Sequence, residues 1–436
     1  MTPHRGLPFF YGWIVVAVAF VTMGIGVNTR TAFSLLFPPI LAEFGWDRAE
    51  TAGAFSIGFV VATAYVPFMG LAMDRLGPRI VIPFGVLICS AGLTLATLIS
   101  RPWHLHLTLG VLVGGGSIFL TYIGHSLFLP HWFVRRRGLA IGIAFAGVGV
   151  GSIVLFPWLQ RMIEAGGWRA ACWALAVLLV LVLLPLNILF QRRRPEDIGL
   201  APDGDARGSA GRRQADDNIV DRAWASVDWT LGRAIRTARF WWLFVGFFCA
   251  LFAWYMVQVH QTKYLLEVGF DPARSAFALG LVGLFSIAGQ IGLGHLSDRI
   301  GREWAWTIGG LGFVGCYVAL LLLPTHPTTA MLYTMVVSQG LIGYGLASVF
   351  GAIPAEIFQG RHFGTIFGTL NLGGNAGAAC GPWLAGAVYD WTGSYSGAFW
   401  VAIAASLISM TAIWAASPRR VRAVAGRVRR DVAVAR

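Results

Sequence analysis

Apolar residues run through this chain in stretches of about 20, and charged or turn-forming residues separate them; about 20 apolar residues is the length a helix needs to cross a hydrocarbon core of ~30 Å. Read this way, the pattern predicts spans at roughly 12–38, 50–73, 79–99, 105–130, 138–163, 170–190, 241–263, 273–297, 304–323, 329–353, 364–389 and 395–416. The first run, from Gly12, is too long for the core of a secretory signal and flows on toward a second span, so it reads as a membrane helix. The fold class expected is an all-α membrane protein with twelve transmembrane helices in two six-helix halves.

The two halves repeat. GLAMDRLGPR begins at Gly70 and GHLSDRIGRE at Gly294, 224 residues later. Pro130 and Pro354 stand at the same offset, and Pro157-Trp158-Leu159 and Pro382-Trp383-Leu384 differ by 225. Six helices per half preserve orientation, so the repeats run parallel in the membrane, as in transporters whose halves rock about a site near the midplane. The domains expected are an N-terminal half at 1–190, a polar linker at 191–239, a C-terminal half at 240–418 and a basic tail at 419–436. The linker carries RRRPED and DGDARGSAGRRQADDN and is poor in apolar residues, as a segment without a core would be.

Charge refines the picture. If the N-terminus is cytoplasmic, then of the 33 Lys and Arg residues 26 fall on the side of the termini, six on the opposite side and one, Arg30, inside a span. That asymmetry follows the positive-inside rule and places both termini in the cytoplasm of a multi-pass protein of the cell (inner) membrane. The net charge of +13 is thus a topology signal, and no nucleic-acid partner is expected. The partners expected are a small-molecule substrate, a proton as co-substrate and the lipid bilayer, with the chain acting as a monomer; the basic tail suits anionic headgroups.

Composition points the same way. The chain is 56% apolar and only 12% charged, whereas a soluble domain carries roughly 25% charge. Cys89, Cys172, Cys249, Cys316 and Cys380 each lie in an apolar run and form no CxxC pair, which excludes a disulfide framework or zinc site. No Walker loop, HExxH, GxSxG or nucleotide-binding domain occurs. No catalytic residue, metal or cofactor is therefore expected, and the chain reads as no enzyme.

The G-x-x-x-D-R-x-G-x-R pattern of Gly70 to Arg79, repeated in close form from Gly294, resembles the signature loop of the major facilitator superfamily. The resemblance implies that fold and assigns Gly70, Asp74, Arg75, Arg79, Gly294, Asp298, Arg299 and Arg302 to conformational switching. In physical terms, Gly70 and Gly294 would let backbones approach, Asp74 and Asp298 would accept from helix N-terminal amides, and the arginines would hold the turn at the membrane surface. The stretch HWFVRRRGLAIGIAFAGVGVG from His131 to Gly151 is similar to a narrower branch, the monocarboxylate transporters and their oxalate-formate antiporter-like relatives. FYGWIVV at Phe9 to Val16 and VQVHQTKYLLEVG from Val257 fit the same branch. Gly138, Gly142, Gly147, Gly149 and Gly151 would allow close helix contact. Organic-anion carriers of this branch place an Arg on the eighth helix with an acid one turn before it; here those positions are Gln290 and Ser286, and neither charge is present.

Arg30 offers another cation. It lies 17 residues past Trp13, ~26 Å along a helix. A charge at such depth costs about 2.5–3.5 kcal/mol and normally faces a polar cavity. No Asp or Glu lies within the interior of these spans, so a carboxylate substrate suits its forked geometry. The substrate-binding set expected is Arg30, Asn28, Tyr122, Gln258, His260, Ser286, Gln290, Asn371 and Asn375. Each of these polar groups also suits interhelical hydrogen bonding. His260 can titrate near neutral pH, which makes it the candidate for proton coupling, with a gate or packing role as the other assignment.

The function expected is secondary active transport of a small organic anion, a monocarboxylate, by alternating access and symport. Two other classes stay open. An exporter of neutral or amphipathic compounds is favoured by the missing charge at Gln290 and Ser286. A non-transporting membrane sensor would need a signalling domain, for which the linker is short and polar.

Overall fold

The computed structural model describes residues 9–126, 128–133, 137–201, 219–359 and 362–422. The linker stretch 202–218, positions 135–136 of the basic loop and the tail at 423–436 lie outside the described residues, as do the side chains of Asp74 and Arg137. The described chain is helical, and its one β-type pairing is an isolated bridge between Ile219 and Arg422.

The principal helices are α1 (Gly12–Thr31), α2 (Phe33–Phe44), α3 (Arg48–Leu76), α4 (Pro78–Ala96), α5 (Arg137–Leu178), α6 (Ala238–Gln258), α7 (Pro272–Ile300), α8 (Arg302–Leu322), α9 (Phe363–Thr392) and α10 (Ser396–Ala416). Among the described residues, ten stretches are long and apolar enough to cross a membrane. One of them, Ala140–Phe190, has 51 residues, more than two crossings require, and Gly167 breaks it with φ 77°. The 30-residue α9, rich in glycine and asparagine, is not among the ten.

Glycine in the left-handed region ends several helices where the sequence turns. Gly77 (φ 74°) closes α3 and Pro78 opens α4, a proline at a first helical position where no donor is lost. Gly301 (φ 107°) does the same between α7 and α8. Two spans are irregular at matching places. Pro102–Ser126 widens into π-type turns at His106–Gly115 and tightens at Ser117–Leu120, and Thr329–Ile357 does so at Ser338–Ile342 and Gly343–Leu346.

The chain forms two compact units. One holds residues 1–208, 257–284 and 382–395; the other holds 209–256, 285–381 and 396–436. In the first, α1 and α5 touch backbone to backbone: a methyl group on Gly147 would lie 2.1 Å from the Phe20 carbonyl oxygen, and one on Gly151 2.2 Å from that of Gly24. In the second, α6 and α9 meet the same way, with 2.1 Å from Gly377 to the Phe248 oxygen and 2.5 Å from Gly381 to the Phe252 oxygen. Both seams use glycines four residues apart, which share a helix face. Close approach through small residues is how helices associate where lipid removes the hydrophobic drive.

Leucine at Gly147 or Gly151 would force α1 and α5 apart at a cost of about 1–3 kcal/mol or more. Both variants should lose the monodisperse peak in size-exclusion chromatography, or drop sharply in melting temperature. Leucine at Gly142, where nothing lies within 4 Å, should leave both readouts near wild type.

Candidate substrate site

Arg30 lies in the last turn of α1 and faces a small pocket in the first unit. Thr29, Phe33, Leu36, Phe55, Leu93, Leu109, Val113 and Gly114 line it with Arg30, and the space has room for about one water molecule. The walls are thus apolar apart from Thr29 and Arg30. The guanidinium lies 3.6 Å from the ring centre of Phe59 and 5.3 Å from that of Phe55, which stand one turn apart on α3. Stacking on a ring uses the face of the guanidinium. Phe55 and Phe59 were not among the expected site residues; the signal available was their four-residue spacing on the helix following Arg30.

None of the other eight expected binding residues lines this pocket. Asn28 turns the opposite way: its side-chain nitrogen donates to the Gly24 oxygen at 2.7 Å and to the Val148 oxygen at 2.8 Å, tying α1 to α5. Tyr122 packs edge-on to Phe145 at 4.8 Å. Gln258 ends α6, and His260, fully buried, follows it. Both His260 ring nitrogens are engaged, Nδ1 with the Tyr395 hydroxyl at 3.0 Å and Nε2 with the Pro382 carbonyl at 2.8 Å. In the second unit, Ser286 and Gln290 stand one turn apart on α7, buried and half-buried. Asn371 donates to the Phe367 oxygen of its own helix at 2.9 Å, and Asn375 lies one turn on.

The two signature loops differ in their contacts. In the first unit, Arg79 Nε donates to the Ile188 carbonyl at 2.6 Å and Arg75 is exposed. In the second, Arg302 is held by Asp298 at 2.8 Å and Glu356 at 2.7 Å, and it also donates to Ser297. Asp298 thus meets a side chain, and the N-cap of α8 shows no side-chain capping bond. Arg299 is exposed. A methyl on Gly70 would meet nothing within 4 Å and one on Gly294 only Ser348 at ordinary contact distance. In this conformation close approach is not what these two glycines provide. The glycines the loops need sit seven residues later, at Gly77 and Gly301, where φ is positive.

The profile of the Major Facilitator Superfamily matches residues 12–350 and 321–433. The chain belongs to the major facilitator superfamily. Its curated relatives include monocarboxylate transporter 13 of Rattus norvegicus, 27% identical over 401 residues, covering 90% of this chain and 86% of that one. Monocarboxylate transporter 12 of Homo sapiens is 28% identical over 413 residues, covering 89% and 77%. Among solved structures, a bacterial homologue of the human lysosomal transporter Spinster, inward-facing and occupied, superposes with a TM-score of 0.68 at 18% identity, over 93% of this chain and 97% of that one. A mutant of the nucleoside transporter NupG gives 0.67 at 12% identity, over 93% and 100%.

This facilitator-family chain is therefore a membrane transporter and not an enzyme, resembling monocarboxylate transporters in sequence. Its Asn28 distinguishes a helix tie from a ligand. Replacing Asn28 with Leu removes one hydrogen bond within α1 and one to α5, the interhelical one worth about 0.6–1.7 kcal/mol in membrane helices. Melting temperature in detergent should fall, while KM for the transported solute should stay within about twofold of wild type, as expected when no substrate contact is lost. A KM raised tenfold with unchanged melting would return Asn28 to the substrate.

Proposed function

We propose that this transporter carries a small organic anion, a monocarboxylate, by alternating access, with Arg30 as its counter-charge. The observation that carries the proposal is Arg30 itself: a guanidinium in the last turn of α1, stacked on Phe59, at an otherwise mostly apolar pocket. A carboxylate suits the charge of Arg30, and a short alkyl or keto tail suits walls of Phe33, Leu36, Leu93 and Val113, in a conformation where the space is wider than the room for about one water molecule that it has here. The relatives named above are called monocarboxylate transporters, which supports the same class. Tyr122, Gln258, Ser286, Gln290, Asn371 and Asn375 are proposed as further polar contacts along the transport path.

The signature loops are proposed to steady one conformation of the cycle, the six-helix halves at 1–190 and 240–418 being the moving parts. The linker at 191–239 and the tail from 419, with both termini, would face the cytoplasm. A transmembrane ion or solute gradient would drive the cycle, with a proton as the proposed co-substrate. His260, bonded at both nitrogens, is better placed to hold helices than to pass a proton in this conformation. Export of neutral or amphipathic compounds is the second reading, favoured by the uncharged Ser286 and Gln290 and by the apolar pocket walls.

The test is uptake of labelled monocarboxylates into proteoliposomes, with and without an inward proton gradient. Arg30→Gln should lower uptake at least about tenfold, the cost of losing one charge-assisted hydrogen bond, and Arg30→Lys should restore part of it. A gradient that accelerates uptake supports symport. Normal transport by Arg30→Gln would remove the basis of the anion reading, and carriage of neutral compounds alone would establish the second.

A further inference from the structure

The first unit carries, at its end bearing the loops after α2 and α9, a polar assembly that the Arg30 pocket does not use. α3 begins there at Arg48. Its own N-cap residue, Asp47, makes no side-chain capping bond. The amides at a helix start need acceptors, and here a carboxylate from far along the chain supplies them. Arg48 N donates to Asp390 Oδ1 at 3.1 Å and Ala49 N to Asp390 Oδ2 at 2.9 Å. The backbones are equally close: a methyl on Gly386 would lie 2.5 Å from the Ala49 nitrogen.

The Arg48 side chain is used in every direction. Nη1 donates to the Tyr395 hydroxyl at 2.8 Å and to Glu267 Oε2 at 3.1 Å, and Nη2 pairs with Glu267 Oε1. Its face lies 3.3 Å from the ring centre of Tyr389. Lys263 adds a second cation 3.5 Å from Glu267. The Pro382 carbonyl only accepts, so a neutral His260 carries its proton on Nε2 and accepts at Nδ1, and arginine only donates, which sets the direction of each bond. The Tyr395 oxygen accepts from Arg48, and its O–H donates to His260 Nδ1. His260 Nε2–H then donates to the Pro382 carbonyl. Each group is satisfied with a neutral imidazole, and Phe37 of α2 packs edge-on against that ring at 5.0 Å.

These contacts join α3, from the first sequence repeat, to Glu267 and Asp390 of the second. They differ in kind from the ties inside a repeat, where Asn28 and the glycine seams are buried. Asp390 and Glu267 are exposed, so water can take over their charges once they part, while the Arg48 side chain is only 13% exposed. We propose that Arg48, Asp390 and Glu267 form the gate that shuts this end of the transport path, with Tyr395 and His260 as the positioning residues that aim the guanidinium. The purpose assigned to the gate rests on the alternating-access reading, but its existence can be tested without any substrate.

The experiment places a reporter cysteine at Thr262, a buried residue on the adjoining Gln261–Glu267 helix, in the full-length transporter in sealed vesicles. A membrane-impermeant maleimide is added from the side of these loops, and protein without the reporter gives the background of the five native cysteines. The closed gate should label slowly. Asp390→Ala combined with Arg48→Gln should raise the rate roughly tenfold, as loss of charge-assisted hydrogen bonds implies. Tyr395→Phe, a milder change, should give a smaller rise, and the exchanged pair Arg48→Glu with Glu267→Arg should label more slowly than Arg48→Glu alone. Glu43→Gln serves as the control: Glu43 ties Trp168 and Arg169 within the first repeat. An unchanged rate in the double variant, or an equal rise with Glu43→Gln, would overturn the gate. Slow labelling with an absent carboxylate flux would count against the substrate assignment and leave the gate standing.

Discussion

The contact on which the rest of this molecule depends is that of one helix backbone on another. In lipid, apolar side chains gain nothing by leaving their surroundings for a protein interior, so association rests on close packing and on hydrogen bonds that cannot be made to water. Gly147 and Gly151 bring α5 onto α1, and Gly377 and Gly381 bring α9 onto α6, each with no space for a methyl. Everything else is arranged around these seams. Asn28 can reach the Val148 oxygen only because α5 is that near, and this turns Asn28 away from the face that carries Arg30.

The site reflects the same economy. Arg30 is two residues from Asn28, and two residues on a helix point to nearly opposite faces. One therefore serves packing while the other faces a pocket. Stacking on Phe59 gives the cation a favourable aromatic neighbour. The signature loops show the corresponding division at the other end of their helices. Gly77 and Gly301 supply the backbone turn, and the arginines after them reach the Ile188 carbonyl in one loop and Asp298 with Glu356 in the other.

Much of this was legible in the sequence, for identifiable reasons. Apolar runs report spans because lipid tolerates little else, and the repeats at Gly70 and Gly294 report a duplicated fold because sequence offset survives folding. Glycine density after His131 signalled a close helix contact, although not its partner α1. What could not be read was direction. Asn28 and Arg30 looked equivalent as polar residues in one span, and only the position of α5 separates them. Gly70 stood out by its place in a motif, whereas the positive φ falls on Gly77 and Gly301. The assembly of Arg48, Glu267 and Asp390 was hidden for another reason. Its members lie at the ends of three helices far apart in the chain, each an ordinary charged helix end until the fold brings them together. His260 could be noticed as a titratable group, but its two bonds depend on Tyr395 and Pro382, far along the chain.

The start of α3 has one more property. Asp47 occupies the N-cap position with extended backbone angles (φ −61°, ψ 147°), and aspartate is among the best residues for that place. Its side chain makes no cap bond here because Asp390 already holds the Arg48 and Ala49 amides. The helix end therefore has two carboxylates within its reach of sequence and space, one local and one borrowed. An N-cap carboxylate reaches the second and third amides of its helix, so Asp47 is placed to serve Ala49 but not Arg48, whose amide depends on Asp390. The first turn of α3 is thus completed by a residue 342 positions further along the chain, and its first amide is left to water whenever that residue moves off.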